Sequence, residues 1–188
     1  MAARRIGLFG GTFDPPHFGH VAALHAAART RRFERIEVTV AGDPYLKRSA
    51  VLQSAALRLA MAHLAFDDLE LVTVSDREIR REGPSYTIDT VRELLGECDA
   101  VDLIVGADLA PQLPSWHDAR TLATLVNVGL VPRPGGATEA PEGFTSYEIP
   151  MAPVDLSSTF IRDLVPTLEN LRDFVPQSVI PLYSGARG

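Results

Sequence analysis

The sequence predicts an α/β protein of the Rossmann-like, doubly wound kind, a mostly parallel sheet with helices on both faces. Three observations carry that expectation. Short apolar runs such as Ile6–Phe9, Val101–Val105 and Val126–Val131 read as buried strands. They alternate with longer stretches of helix formers, the pattern of βαβ units, whose right-handed crossovers wind helices over the sheet. A Gly-rich, Pro-containing loop, Gly10-Gly11-Thr12-Phe13-Asp14-Pro15-Pro16-His17-Phe18-Gly19-His20, joins the first strand to the first helix. That is the carboxyl edge of the sheet, where such folds bind ligands.

In chain order, Ile6-Gly7-Leu8-Phe9 is the first strand, and Val21 to Ala28 opens a helix expected to reach about Thr30. Arg35 to Val40 alternates polar and apolar residues and forms the second strand. Ala41 to Ala50 is a loop carrying Gly42, Pro44, Lys47 and Arg48. Leu52 to Phe66 has Leu52, Ala56, Leu59, Ala60, His63 and Leu64 at helical spacing, a stripe that should face the core. Leu69 to Val74 is the third strand, and Arg77 to Pro84 a charged connection. Ser85 or Thr87 caps a helix running through Leu95. Val101 to Val105 is the fourth strand, closed by Gly106-Ala107-Asp108. A helical stretch surrounds Trp116, Val126 to Val131 is the fifth strand, and Pro132 to Gly143 is the longest Pro/Gly-rich loop. Tyr147-Glu148-Ile149 makes a last short strand. Helices follow from Ser158, interrupted by Pro166, Pro176 and Pro181. The whole reads as one domain over 1–188, its C-terminal part helical from about 157.

Composition narrows the function classes. A 46% hydrophobic and 22% charged chain of 188 residues is globular and long enough for a sizeable core. The net charge of −6 argues against a general nucleic-acid or membrane-surface binder but leaves room for a small anionic ligand in one cleft. Cys98 is the only cysteine, so no internal disulfide forms. The apolar run before Gly10 is too short for a signal segment, so the cytoplasm is the expected compartment.

The opening loop carries the chemistry. Gly10 and Gly11 allow close backbone approach to a ligand, and the helix start offers N–H donors and a partial positive charge to phosphate. His17 and His20, three residues apart, point the same way if the helix begins near His17. A turn with two glycines is often only a turn, and His-x-x-His is half a zinc site, though no cysteine accompanies it. Other stretches invite the same weighing. Lys47 is either surface or a hand for a second anion. Ser85-Tyr86-Thr87 is a cap, an anion site or both. Asp108 is a turn residue or a ribose acceptor. Trp116 is core or a stacking platform. Ser158-Thr159 with Arg162 is an N-cap or a phosphate clamp.

The loop resembles the G-x-F-D-P-x-H-x-G-H signature of the nucleotidylyltransferase superfamily. Together with Pro84-Ser85-Tyr86-Thr87-x-Asp89-Thr90, Gly106-x-Asp108, Trp116, Arg133-Pro134-Gly135 and Ser157-Ser158-Thr159-x-x-Arg162, the chain is similar to bacterial nicotinate-nucleotide adenylyltransferases. The resemblance implies transfer of AMP from ATP to nicotinate mononucleotide. It implies an ATP set of Gly10, Gly11, Thr12, Phe13, His17, His20, Gly106, Asp108, Ser158, Thr159 and Arg162, with His17, His20 and Arg162 as the catalytic members. It implies that Lys47, Tyr86, Thr87, Trp116 and Arg133 hold the acceptor, and that Mg2+ travels on the ATP phosphates with no side-chain metal site. Two departures bear on the acceptor side: the loop Ala41 to Lys47 differs from the usual pattern, and Ala55-Ala56-Leu57-Arg58 keeps only the arginine of a Glu-His-Arg motif. Another phosphorylated acceptor (nicotinamide mononucleotide or phosphopantetheine) and a non-catalytic nucleotide binder are the alternatives. Homo-oligomerisation stays open.

Overall fold

The computed structural model describes residues 3–44, 51–137, 139–164 and 171–185. Six parallel strands form one sheet in the order β3-β2-β1-β4-β5-β6. They are β1 (Arg5–Gly11), β2 (Arg35–Val40), β3 (Val72–Ser75), β4 (Ala100–Gly106), β5 (Val126–Val131) and β6 (Thr145–Glu148). The helices are α1 (Phe18–Arg29), α2 (Ala55–Phe66), α3 (Arg77–Arg80), α4 (Thr87–Leu95), α5 (Ala119–Leu125), α6 (Ser158–Leu164) and α7 (Ile180–Gly185), with a 3-10 helix at Ala110–Ser115. The doubly wound class expected from the sequence is the one formed, with every strand pair parallel. No helix among the described residues is long and apolar enough to cross a membrane.

Strand alternation splits the core into two layers. Ile6 and Leu8 of β1, with Val101, Leu103 and Val105 of β4, pack against Ile88, Val91 and Leu94 of α4. Phe9 and Ile104 turn to the other face, against Ala23, Leu24 and Ala27 of α1 and Phe66 of α2. A third cluster joins Met61 of α2 to Ile161, Val175, Val179 and Tyr183, which seats the C-terminal segment on α2. Each layer removes apolar surface from water, the main driving force for holding helices on a sheet.

The structure departs from the sequence reading at identifiable places. The buried face of α2 is Arg58, Met61, Ala62 and Phe66, whereas Leu52 is 62% and Leu64 44% exposed. The helix is apolar on most sides, so the stripe gave no direction, and Arg58 turns inward to carbonyls described below. β3 begins at Val72 because Leu71 takes a left-handed conformation, φ 63°, which an extended strand does not allow. The connection after β3 contains the single turn α3. The expected cap of α4 is also different. Its N-cap residue is Tyr86, without a side-chain bond, because the Ser85 hydroxyl is engaged elsewhere.

Candidate active site

β1 and β4 part at their carboxyl ends. Their register runs from Arg5↔Ala100 to Leu8↔Leu103 and stops, while β1 stays paired with β2 to Gly11↔Val40 and β4 with β5 to Gly106↔Val131. The chain leaves β1 for α1 on one face and reaches β4 from α4 on the other. A crevice therefore opens between Gly10 and Gly106, the switch point of the sheet. It holds a cavity of about 440 Å³, within the usual range for small-molecule sites. Gly10, Gly11, Thr12, Phe13, His17, His20, Gly106, Asp108, Ser158, Thr159 and Arg162 all line it, as do Thr87, Trp116 and Arg133. Tyr86 does not line it; its ring stacks on His117 with centroids 4.0 Å apart. Lys47 lies outside the described residues.

The loop after β1 is built tightly. A side chain at Gly11 would meet the Phe13 ring at 2.7 Å, so only glycine lets that ring fold back under the loop. Phe13 is buried and left-handed, φ 52°, which makes it a wall and an anchor at once. His17 is the N-cap residue of α1, and its ring stacks on His20 at 3.6 Å. The Nδ1 of His20 accepts from the His17 backbone N–H at 3.2 Å, which leaves the imidazole proton of neutral His20 on Nε2. His17 is 1% exposed, and its Nδ1 has no hydrogen-bond partner among the described residues. Burial, helped by the positive charge of Arg133, pushes its pKa down to about 3, so it presents a neutral ring.

The C-terminal segment clasps the same loop. The Ser158 hydroxyl donates to the Pro15 carbonyl at 2.8 Å. Arg162 donates to the Asp14 carbonyl at 2.8 Å and to Thr159 Oγ1 at 3.0 Å. Ser157 takes the capping position expected of this stretch, its Oγ accepting from Phe160 N at 3.1 Å. One donor expected at the start of α1 is spent in the same way, since Phe18 N donates to the Phe174 carbonyl at 2.9 Å. Arg133 is held by the carbonyls of Val154 and Leu156 at 2.6 and 2.7 Å and reaches to 3.8 Å from Asp108. Three segments distant in sequence thus turn hydroxyl, imidazole and guanidinium groups to one cavity. That wall suits a ligand rich in anionic oxygen.

The wall also contains Asp14 and Glu78, to which the sequence reading gave no role of their own. Asp14 is 1% exposed, and its Oδ2 accepts from Leu52 N at 2.7 Å and Gln53 N at 3.4 Å. Glu78 is buried, accepts from Thr90 Oγ1 at 2.7 Å, and has its carboxyl pKa pushed up by desolvation. Ser85, weighed from the sequence as a cap or anion site, is buried in the same wall, and Arg58 is buried behind it. A polar residue inside an apolar helix, as Arg58 is, is the sequence signal that its side chain has a buried partner. Trp116 is half-buried, and its indole N–H has no hydrogen-bond partner among the described residues. No cluster of three or more His, Cys, Asp or Glu among the described residues could hold a metal ion.

Comparison with known proteins agrees with this geometry. The model of the cytidylyltransferase-like family matches residues 8–164. A probable nicotinate-nucleotide adenylyltransferase of Methylibium petroleiphilum is 37% identical over 183 residues, 94% of this chain and 86% of that protein. A protein of the same description from Exiguobacterium sibiricum is 37% identical over 177 residues, 93% of each chain. The structure of Plasmodium falciparum nicotinic acid mononucleotide adenylyltransferase complexed with NaAD superimposes with a TM-score of 0.78, covering 97% of this chain and 95% of that one. At 17% identity that likeness is one of fold.

Proposed function

The chain belongs to the cytidylyltransferase-like family, and from that premise we propose that it transfers AMP from ATP to nicotinate mononucleotide, yielding deamido-NAD and pyrophosphate in NAD biosynthesis. The observation that carries this reading is the match, over 94% and 93% of the chain, to relatives described by that activity. The crevice supports it, because one cavity at the β1/β4 switch point is lined from both sides.

In this reading an oxygen of the acceptor phosphate attacks the α-phosphorus of ATP in line. The new P–O bond forms as the bond to the pyrophosphate oxygen breaks, and no side chain becomes covalently attached. The protein acts by holding two polyanions at attack distance and by donating to charge as it develops. His20 donates through Nε2 to the triphosphate. His17 acts as a neutral donor, which fits a ring kept uncharged by burial. Arg162, with Ser158, Thr159 and Thr12, completes the triphosphate wall, and Gly10, Gly11 and Phe13 shape its floor. Gly106 lets the adenosine approach the end of β4, where Asp108 accepts from ribose hydroxyls. On the acceptor side Trp116 stacks on the pyridine ring, and backbone at Tyr86 and Thr87 meets the nicotinate carboxylate. Lys47 and Arg133 take the mononucleotide phosphate. Carried on the ATP phosphates, Mg2+ would supply positive charge to the leaving pyrophosphate. The cytoplasm is the compartment the reading implies.

Pyrophosphate release measured with ATP and separate acceptors tests the proposal. Nicotinate mononucleotide should support turnover, and phosphopantetheine or buffer alone should not. Turnover with phosphopantetheine only, or ATP binding without turnover on any acceptor, would overturn it.

A further inference from the structure

Arg58 stands out once the substrate-facing side chains are accounted for. It is 1% exposed and projects from α2 toward the floor of the cleft without lining it. Its Nη1 donates to the Thr12 carbonyl at 2.8 Å, in the loop after β1. Its Nη2 donates to the Gly42 carbonyl at 3.4 Å, in the loop after β2, and its Nε to the Gln53 carbonyl at 3.2 Å. A planar guanidinium can span such separate acceptors; an ammonium on a flexible stem cannot hold the same fork.

The Gly42–Asp43 peptide group is gripped from the opposite side too. Ser85 Oγ accepts from Asp43 N at 3.1 Å and from Gly42 N at 2.9 Å, and Ser85 N donates to the Asp43 carbonyl at 2.9 Å. Ser85 immediately precedes the N-cap residue of α4. A Cβ at Gly42 would collide with the Glu78 carbonyl oxygen and come within 2.9 Å of Ile79 Cα. The peptide is therefore wedged against α3 with its C=O on Arg58 and its N–H on Ser85. A continuous path of hydrogen bonds runs from Thr12 through Arg58, the Gly42–Asp43 peptide and Ser85 to the start of α4.

We propose that Arg58 is a positioning residue that, with Ser85, uses the Gly42–Asp43 peptide as a joint to set the spacing between the ATP-side loop and the acceptor-side helix. The inference rests on the adenylyl-transfer reading, in which Thr12 lies on one substrate and the start of α4 on the other. In-line transfer between two bound substrates depends on their separation, and a misplacement of about 1 Å costs roughly 100-fold in rate. Binding of either substrate alone does not depend on that spacing. The joint should therefore act on kcat and leave each KM nearly unchanged.

The test measures kcat, both KM values and the unfolding midpoint for wild type, Arg58→Lys, Ser85→Ala and the double variant. Arg58→Lys should stay folded and lose roughly 10- to 100-fold in kcat, with each KM within about threefold of wild type, a rough equality that preserved substrate contacts imply. Ser85→Ala should show the same split. Because both side chains hold one peptide group, the double variant should lose little more than the worse single variant. A lowered midpoint with wild-type kcat would overturn the inference, as would losses confined to one KM or losses that multiply. If Arg58→Lys does not fold, Ser85→Ala decides alone, since it leaves the guanidinium in place and removes the hydroxyl that holds Gly42 N, Asp43 N and the Glu78 carboxyl; wild-type kcat there overturns the inference. An inactive wild type would overturn the functional reading itself and the joint with it, whereas an active wild type with unaffected variants overturns the joint alone.

Discussion

His20 and His17 stack on one another yet carry different predictions. His20 is half-buried, packs edge-on against Phe13 at 5.1 Å, and keeps its proton on the nitrogen away from the His17 amide. In the proposed role His20 donates to developing phosphate charge, so His20→Ala should lower kcat roughly 100- to 1000-fold, while circular dichroism shows the fold retained. Near-normal turnover by a folded variant would refute the role. His17 makes its prediction through stability. Its pKa is pushed down to about 3 in the folded chain, against 6.5 for a free imidazole. Between those values the unfolded chain binds the extra proton, so stability is full above about pH 6.5 and falls as pH drops toward 3. Denaturant unfolding at pH 7.5 and pH 5.5 should show wild type weakened at the lower pH by more than His17→Asn. That interval lies above the range of ordinary carboxylates, so equal losses would mean that His17 is not buried neutral.

At the scale of elements, the proposed reading puts the acceptor carboxylate at the start of α4. It is a nine-residue helix whose first turn includes Asp89 and whose N-cap residue, Tyr86, makes no side-chain cap bond. Helix starts favour anions, and an amide in place of a carboxylate sets N–H against N–H. Leaving one polar group unpaired costs about 1–3 kcal/mol, roughly 5- to 150-fold. Nicotinate mononucleotide should therefore exceed nicotinamide mononucleotide in kcat/KM by a factor in that range, read at fixed ATP. Equal values would place the carboxylate contact elsewhere. The same helix shows why a capping motif is ambiguous in sequence. Ser85 was a reasonable cap, but its hydroxyl is 2.9 Å from Gly42 N, a residue 43 positions away in the chain. Nothing local to Ser85 announces that partner.

At the scale of the molecule, the end of the sheet opposite the cleft is tied by one buried carboxylate. Asp102 of β4 is 0% exposed. It accepts from Arg5 of β1, from Arg32 at 3.2 Å in the turn before β2, and from the Tyr147 hydroxyl of β6 at 2.9 Å. Arg32 also lies 4.0 Å over the Tyr147 ring. Arg5 and Arg32 remain partly open to water, which tempers the cost of losing their partner. Asp102→Ala should cost about 1–3 kcal/mol, lowering the unfolding midpoint by roughly 2–4 °C per kcal/mol for a chain of this size. Its kcat should match wild type, because the cleft opens at the other end of β4, at Gly106. A large fall in kcat with an unchanged midpoint would contradict the separation of the two ends.

The sequence by itself determined the spans of β2 and β5 and the place of the Gly-rich loop after β1. β2 and β5 run over Arg35–Val40 and Val126–Val131, the spans that alternation and apolar runs mark. Such patterns are local, because a strand repeats every two residues whatever it packs against. The glycines and histidines after β1 likewise sit where a strand must hand over to a helix. Tertiary structure alone decided which polar groups go inside and what they hold. Arg58 turns inward because the Thr12 carbonyl, 46 residues earlier, lies across from it. Arg162 and Ser158 meet the Asp14 and Pro15 carbonyls only once the C-terminal cluster has packed on α2. Buried carbonyls require partners, but a one-dimensional pattern does not say which distant side chain will supply them.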